Sequence, residues 1–186
     1  MLIKIGLWVD LTKTDRYYDK SVVESNDCTY LKLACKGHGE CPTQDIVDTF
    51  ITLVDNFIRK KPLEIVGIHC THGFNRTGFL IVSYLVEKAD WAVDAAINAF
   101  ANARPPGIYK QDYLAELCAR YGDPEDVPQA PSMPDWCFED TDVDDRDESA
   151  AEARAELESV SGDARKPFIP DFDMPGVTLV KGVLKN

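Results

Sequence analysis

The sequence predicts an α/β fold, with a mostly parallel central sheet flanked by helices and a disordered acidic C-terminal tail. Three observations carry that expectation. Short runs rich in Ile, Val and Leu alternate with longer stretches of helical periodicity, breaker residues separate them, and after Gly122 the composition turns to Pro, Asp and Glu. Strands alternating with helices imply crossover connections, which favour parallel pairing.

The strand candidates are LIKIGLWVDLT, CTYLKLAC and PLEIVGIHC, each of the length expected for a buried strand. Residues 43–60 place Ile46, Phe50, Leu53, Val54 and Phe57 at spacings of three and four, behind Thr43 as N-cap, and so predict an amphipathic helix. Residues 77–88, TGFLIVSYLVEK, are apolar nearly all round, as a helix buried against a sheet would be. Two more helices are expected over 91–103 and 110–121, separated by Arg104-Pro105-Pro106-Gly107 and closed by Gly122. The domain is therefore expected to span 1–121, followed by an acidic linker over 122–166. Within that linker, residues 150–158 have the composition of a short solvated helix but no apolar stripe to hold it.

Charge follows the same division. Of 32 Asp and Glu against 20 Lys and Arg, the linker alone carries 15 against 4 and residues 167–186 carry 2 against 2, leaving residues 1–121 at 15 against 14. A nearly neutral folded part does not exclude a polyanionic substrate. Six cysteines without a signal peptide or a membrane-spanning apolar run point to a reducing compartment and no membrane association.

The chemistry concentrates in residues 69–78, HCTHGFNRTG, between a predicted strand and a predicted helix. Cys70 and Arg76 enclose Thr71, His72, Gly73, Phe74 and Asn75, with Gly73 and Gly78 expected at the bends. Such a loop turns backbone N–H groups inward, and the helix N-terminus adds partial positive charge, which makes a phosphate cradle. Arg76 can fork onto two phosphoryl oxygens. The same field favours a thiolate at Cys70, and Thr77 is positioned to hydrogen-bond the sulfur as it leaves a phosphocysteine. His69 is expected to orient the loop, and Asn75 to shape it from a tight turn. Cys35, His38 and Cys41 have zinc-like spacing but no fourth ligand nearby, so a substrate-facing loop is the expectation there and no metal is called.

Together, VDLTKTDRYYDK, CKGHGECPT, HCTHGFNRTGF, FANARPPGIYKQDYL and MPDWCFED resemble the N-terminal RNA 5′-triphosphatase domain of metazoan-type mRNA capping enzymes, over about residues 5–140. Within VDLTKTDRYYDK, Lys13-Thr14-Asp15-Arg16 is similar to the nucleotidyltransferase Lys-x-Asp-Gly motif, but Arg16 replaces the glycine and that reading is rejected. The resemblance implies a cysteine-phosphatase-like fold and removal of the γ-phosphate from the 5′-triphosphate end of nascent RNA. It also implies a nuclear location, the RNA polymerase II transcription machinery as a partner, and no cofactor. Cys70 and Arg76 match the family's nucleophile and phosphate-binding arginine. Lys36, His38, Arg104, Tyr109 and Lys110 are candidates for gripping the triphosphate or the first nucleotides. Asp10 is either a general acid or a brace at the strand end. Capping enzymes carry further residues before the first strand and a guanylyltransferase domain, whose opening residues 167–186 resemble. The competing readings are a dual-specificity or tyrosine protein phosphatase and a non-catalytic module that binds RNA ends or the transcription machinery.

Overall fold

Three of the apolar runs become strands where the sequence expects them: β1 (Ile5–Asp10), β2 (Thr29–Lys32) and β3 (Ile65–His69). The structure, a computed structural model, describes residues 4–15, 17–35, 40–137 and the strand at 177–180. β1 pairs in parallel with both β2 and β3. A fourth strand, β4 (Val177–Val180), pairs antiparallel with β3, giving the order β2-β1-β3-β4. Residues 177–180, within the segment expected to open a second domain, pair with this sheet.

Strand alternation sorts the side chains onto two faces. Leu7, Val9, Val66 and Ile68 join the main core, whereas Trp8 joins a smaller cluster with Val23 and Cys28. Trp8 lies opposite Gly67 in the register. A Cβ at Gly67 would come within 2.6 Å of the indole, so the glycine makes room for the ring.

The main core is closed by α2 (Gln44–Lys60), α3 (Asn75–Ala89), α4 (Val93–Ala103) and α5 (Gln111–Tyr121). α2 buries Val47, Phe50, Ile51 and Val54, and exposes Leu53. The buried stripe is thus turned from the predicted one, toward Val47 and Ile51 and away from Leu53. In α3, residues 77–84 are all buried, which explains its apolar circumference. Helix α1 (Lys20–Glu24) was not expected: five residues show no periodicity, and its signal is the Asp19 N-cap, which accepts from Ser21 N at 2.9 Å.

Past the boundary expected at residue 121, the chain keeps touching the helices. Gln111 Nε2 donates to the Pro128 carbonyl at 3.0 Å, Ala130 N donates to Gln111 Oε1 at 2.8 Å, and Val127 and Ala130 pack against the core. The chain stays fastened as far as a 3₁₀ turn at Asp135–Cys137, where Cys137 is fully buried. The acidic stretch beyond it, including the helix composition at 150–158, lies outside the described residues.

Gly78 sits inside α3 where α4 crosses: a Cβ there would come within 2.5 Å of Phe100 and 2.7 Å of Ile108. An alanine ordinarily gains up to about 1 kcal/mol over glycine in a helix. Both neighbours are buried, so overpacking, at about 1–3 kcal/mol, outweighs that gain. Gly78→Ala is accordingly expected to be less stable than the parent in denaturant unfolding.

Candidate active site

Cys70 follows directly on β3, and α3 begins at Asn75, two residues earlier than the sequence suggests, so Arg76 and Thr77 occupy its first turn. No side chain caps this helix, which leaves its N-terminal amides facing the loop. Gly73 takes the left-handed φ of 72° that reverses the chain. Thr77 Oγ1 donates to Cys70 Sγ at 3.2 Å in a buried contact, and Arg76 Nη2 donates to Thr71 Oγ1 at 3.1 Å. Gly78, expected at a bend, instead permits the close helix crossing. Asn75, expected in a tight turn, reaches across to the next loop, where its Oδ1 accepts from Tyr109 N at 3.0 Å and Lys110 N at 3.1 Å.

Parallel register sets Asp10 beside His69 at the ends of β1 and β3, and beside Lys32 of β2. Asp10 is buried, and five contacts converge on it. Thr12 N and Oγ1 donate to Oδ1 at 2.8 and 2.7 Å, Tyr30 OH and Lys32 Nζ donate to Oδ2 at 2.9 and 3.1 Å, and His69 Nε2 lies 3.5 Å away. Burial alone would raise its pKa, but His69, the two Thr12 donors and Lys32 together hold it below the ordinary 3.8. His69 is buried too, and burial, aided by the Lys32 and Arg76 cations, outweighs Asp10 and lowers it from 6.5. The ring is therefore neutral at pH 7, and Lys32 with the Thr12 donors keeps Asp10 ionised. Trp8 Nε1 donates to Tyr18 OH at 2.8 Å, and Tyr18 OH meets His69 Nε2 at 2.6 Å. His69 also hydrogen-bonds the Cys70 backbone in a contact that favours ring protonation, so the ring donates there. With Nε2 taken by Tyr18, the donating nitrogen is Nδ1.

The rim is aromatic and cationic. Arg104 lies 4.5 Å from the centre of the Phe74 ring and donates from Nη2 to His72 O at 3.3 Å. Tyr109 packs 5.7 Å from Phe74, and Trp136 lies 5.7 Å from Phe74 and 6.0 Å from His72. The Lys110 side chain is exposed at the start of α5, while Lys36 and His38 fall outside the described residues.

Residues 2–122 match the family model described as the dual specificity phosphatase catalytic domain. The chain belongs to that family. It is an enzyme of the cysteine phosphatase type. The chain is 61% identical over 138 residues to an mRNA-capping enzyme of Danio rerio and 59% identical to one of Mus musculus, covering 74% of this chain and 23% of each relative. It is also 39% identical over 116 residues to an RNA/RNP complex-1-interacting phosphatase homolog of Caenorhabditis elegans, covering 61% of this chain and 50% of that one. Among solved structures, the crystal structure of Tk-PTP in the active form is similar in fold, with a TM-score of 0.56 at 17% identity over 63% of this chain and 78% of that one.

Within this family fold, burial pushes four other thiols up, Cys28 and Cys41 to about 11, Cys35 to about 12, and Cys118 above its ordinary value, so they are neutral near pH 7. Sequence reasoning missed Tyr18, Tyr30 and Lys32 as members of the network around Asp10. Only the Asp10-x-Thr12 spacing, which forms a local side-chain turn, hinted at it.

Native His69 resists a proton that the unfolded chain accepts near 6.5, so unfolding free energy is full above that pH and falls as pH drops below it. Urea unfolding at pH 7.5 and 5.5 should show this loss, at most about 1.4 kcal/mol per pH unit from one group. His69→Gln should be less stable at pH 7.5 and show a flatter dependence.

Proposed function

We propose that the domain removes the γ-phosphate from 5′-triphosphate RNA, leaving a 5′-diphosphate end for capping. The observation that carries this reading is the state of Asp10. A phosphotyrosine leaving group departs well only when protonated, whereas a diphosphate end, with a second pKa near ~6, leaves already ionised. Asp10 is an ionised, hydrogen-bonded carboxylate with no proton to give, which suits the diphosphate and makes Asp10 the brace rather than the acid. The identity to two mRNA-capping enzymes, which extends beyond the family model into the 122–137 strap, supports the same substrate.

In the proposed reaction the Cys70 thiolate attacks the γ-phosphorus and the bond to the β-phosphate oxygen breaks, releasing diphosphate-ended RNA. Water then displaces the sulfur, giving inorganic phosphate and regenerating the thiolate. Arg76 and the N-terminal amides of α3 neutralise the charge on the transferring group, and Thr77 stabilises the departing sulfur. No step requires a metal ion. The site of action is the nucleus, at RNA polymerase II transcripts, whose nascent ends carry such triphosphates.

The test is release of γ-phosphate from a short 5′-triphosphate RNA with chelator present, set beside a phosphotyrosine peptide. Release is expected to survive chelator, to exceed peptide turnover and to fall to background in Cys70→Ser. Faster turnover of the peptide would overturn the reading in favour of a protein phosphatase. In Thr77→Ala, a burst of diphosphate-ended RNA equal to the enzyme should precede steady turnover slowed by roughly 10²-fold, the cost of losing one preorganised donor.

A further inference from the structure

Trp136 stands apart from the chemistry described so far. It lies in the strap that returns from α5, tied by Gln111 to Pro128 and Ala130, with its last turn closed by Cys137 N donating to Pro134 O at 2.9 Å. Next to it Cys137 is fully buried, which fixes where the indole must sit. The ring reaches Phe74 and His72, both inside the loop that follows Cys70. Trp136 nevertheless remains 39% exposed, in contrast to Trp8 at 2%. Trp91 is as exposed, at 38%, but of the two only Trp136 has its ring against the loop after Cys70.

We propose that Trp136 is the platform on which the base of the first RNA nucleotide stacks. This rests on the triphosphatase reading. With the γ-phosphoryl group held by Arg76 and the α3 amides, the β- and α-phosphates lead outward, and the nucleoside arrives at the rim. There the charge changes to aromatic surface, with Arg104 between the two zones. Arg104 Nε is buried with no hydrogen-bond partner among the described residues, a donor suited to a bridging phosphate. Stacking on an aromatic face accepts every base, which suits an enzyme acting on transcripts regardless of their first letter. Trp136 thus separates a nucleoside triphosphate end from a bare polyphosphate, a distinction that the loop from Cys70 to Arg76 does not make.

The experiment compares a 5′-triphosphate RNA trimer with inorganic tripolyphosphate, which has no base. In Trp136→Ala the ratio of kcat/KM for RNA to that for tripolyphosphate should fall roughly tenfold or more, through KM for RNA, and Trp136→Phe should recover most of it. An unchanged ratio, whether both substrates suffer equally or neither does, overturns the proposal and makes Trp136 a support for the loop. If the parent hydrolyses neither substrate, the triphosphatase reading fails on its own, and binding decides this one. Fluorescence of Cys70→Ser should then be quenched by the triphosphate RNA but not by tripolyphosphate, and the quench should vanish with Trp136→Phe. Equal quenching by both, or none, overturns it.

Discussion

The pairing of β1 with β3 sets Asp10 and His69 side by side at the carboxyl ends of two parallel strands, and the site depends on that placement. Ligand sites in parallel sheets open at these ends. The placement also buries a carboxylate and an imidazole together, which is tolerable only if each is hydrogen-bonded. Thr12, Tyr30, Lys32 and Tyr18 meet that demand, and each comes from the first 32 residues of the chain. The order in which polar contacts are stacked, Trp8 to Tyr18 to His69 to the Cys70 backbone, links the smaller cluster beneath the sheet to the nucleophile. An element that looks peripheral therefore holds the catalytic loop from behind.

Much of the fold was legible because periodicity reports burial. The runs around Leu7, Leu31 and Ile68 became strands, and the uniform apolarity of residues 77–88 correctly implied a helix covered on all sides. What failed was whatever periodicity cannot resolve. Ile51 and Leu53 are both apolar and two residues apart, so only the tertiary packing of α2 decides which of them is buried. The strap over 122–137 read as linker because its composition is polar, yet a few contacts from Gln111, Val127 and Cys137 suffice to fix it.

The site was legible in proportion to how local its chemistry is. Cys70, Arg76 and Thr77 lie within one loop and one helical turn, so their spacing was enough to anticipate that they meet. Tyr18 and Trp136 lie 51 residues before and 64 residues after their partners at His69 and His72, and no local pattern marks such pairs. Asp10 illustrates the intermediate case. Its position at a strand end was readable, while its charge state depends on Tyr30 and Lys32, which only the parallel register brings to it.

Asn75 joins two parts of the site, the loop after Cys70, proposed to hold phosphate, and the loop from Arg104 to Lys110, proposed to face the rest of the substrate. It does so by accepting from two backbone amides, and the Tyr109 side chain adds a hydrogen bond of its own to it. The backbone part of that grip survives a change of side chain, so Lys110 can be exchanged while the loop after Cys70 stays registered to its neighbour. That makes the scaffold a holder whose jaw can be refitted at that position without misaligning the loop it meets.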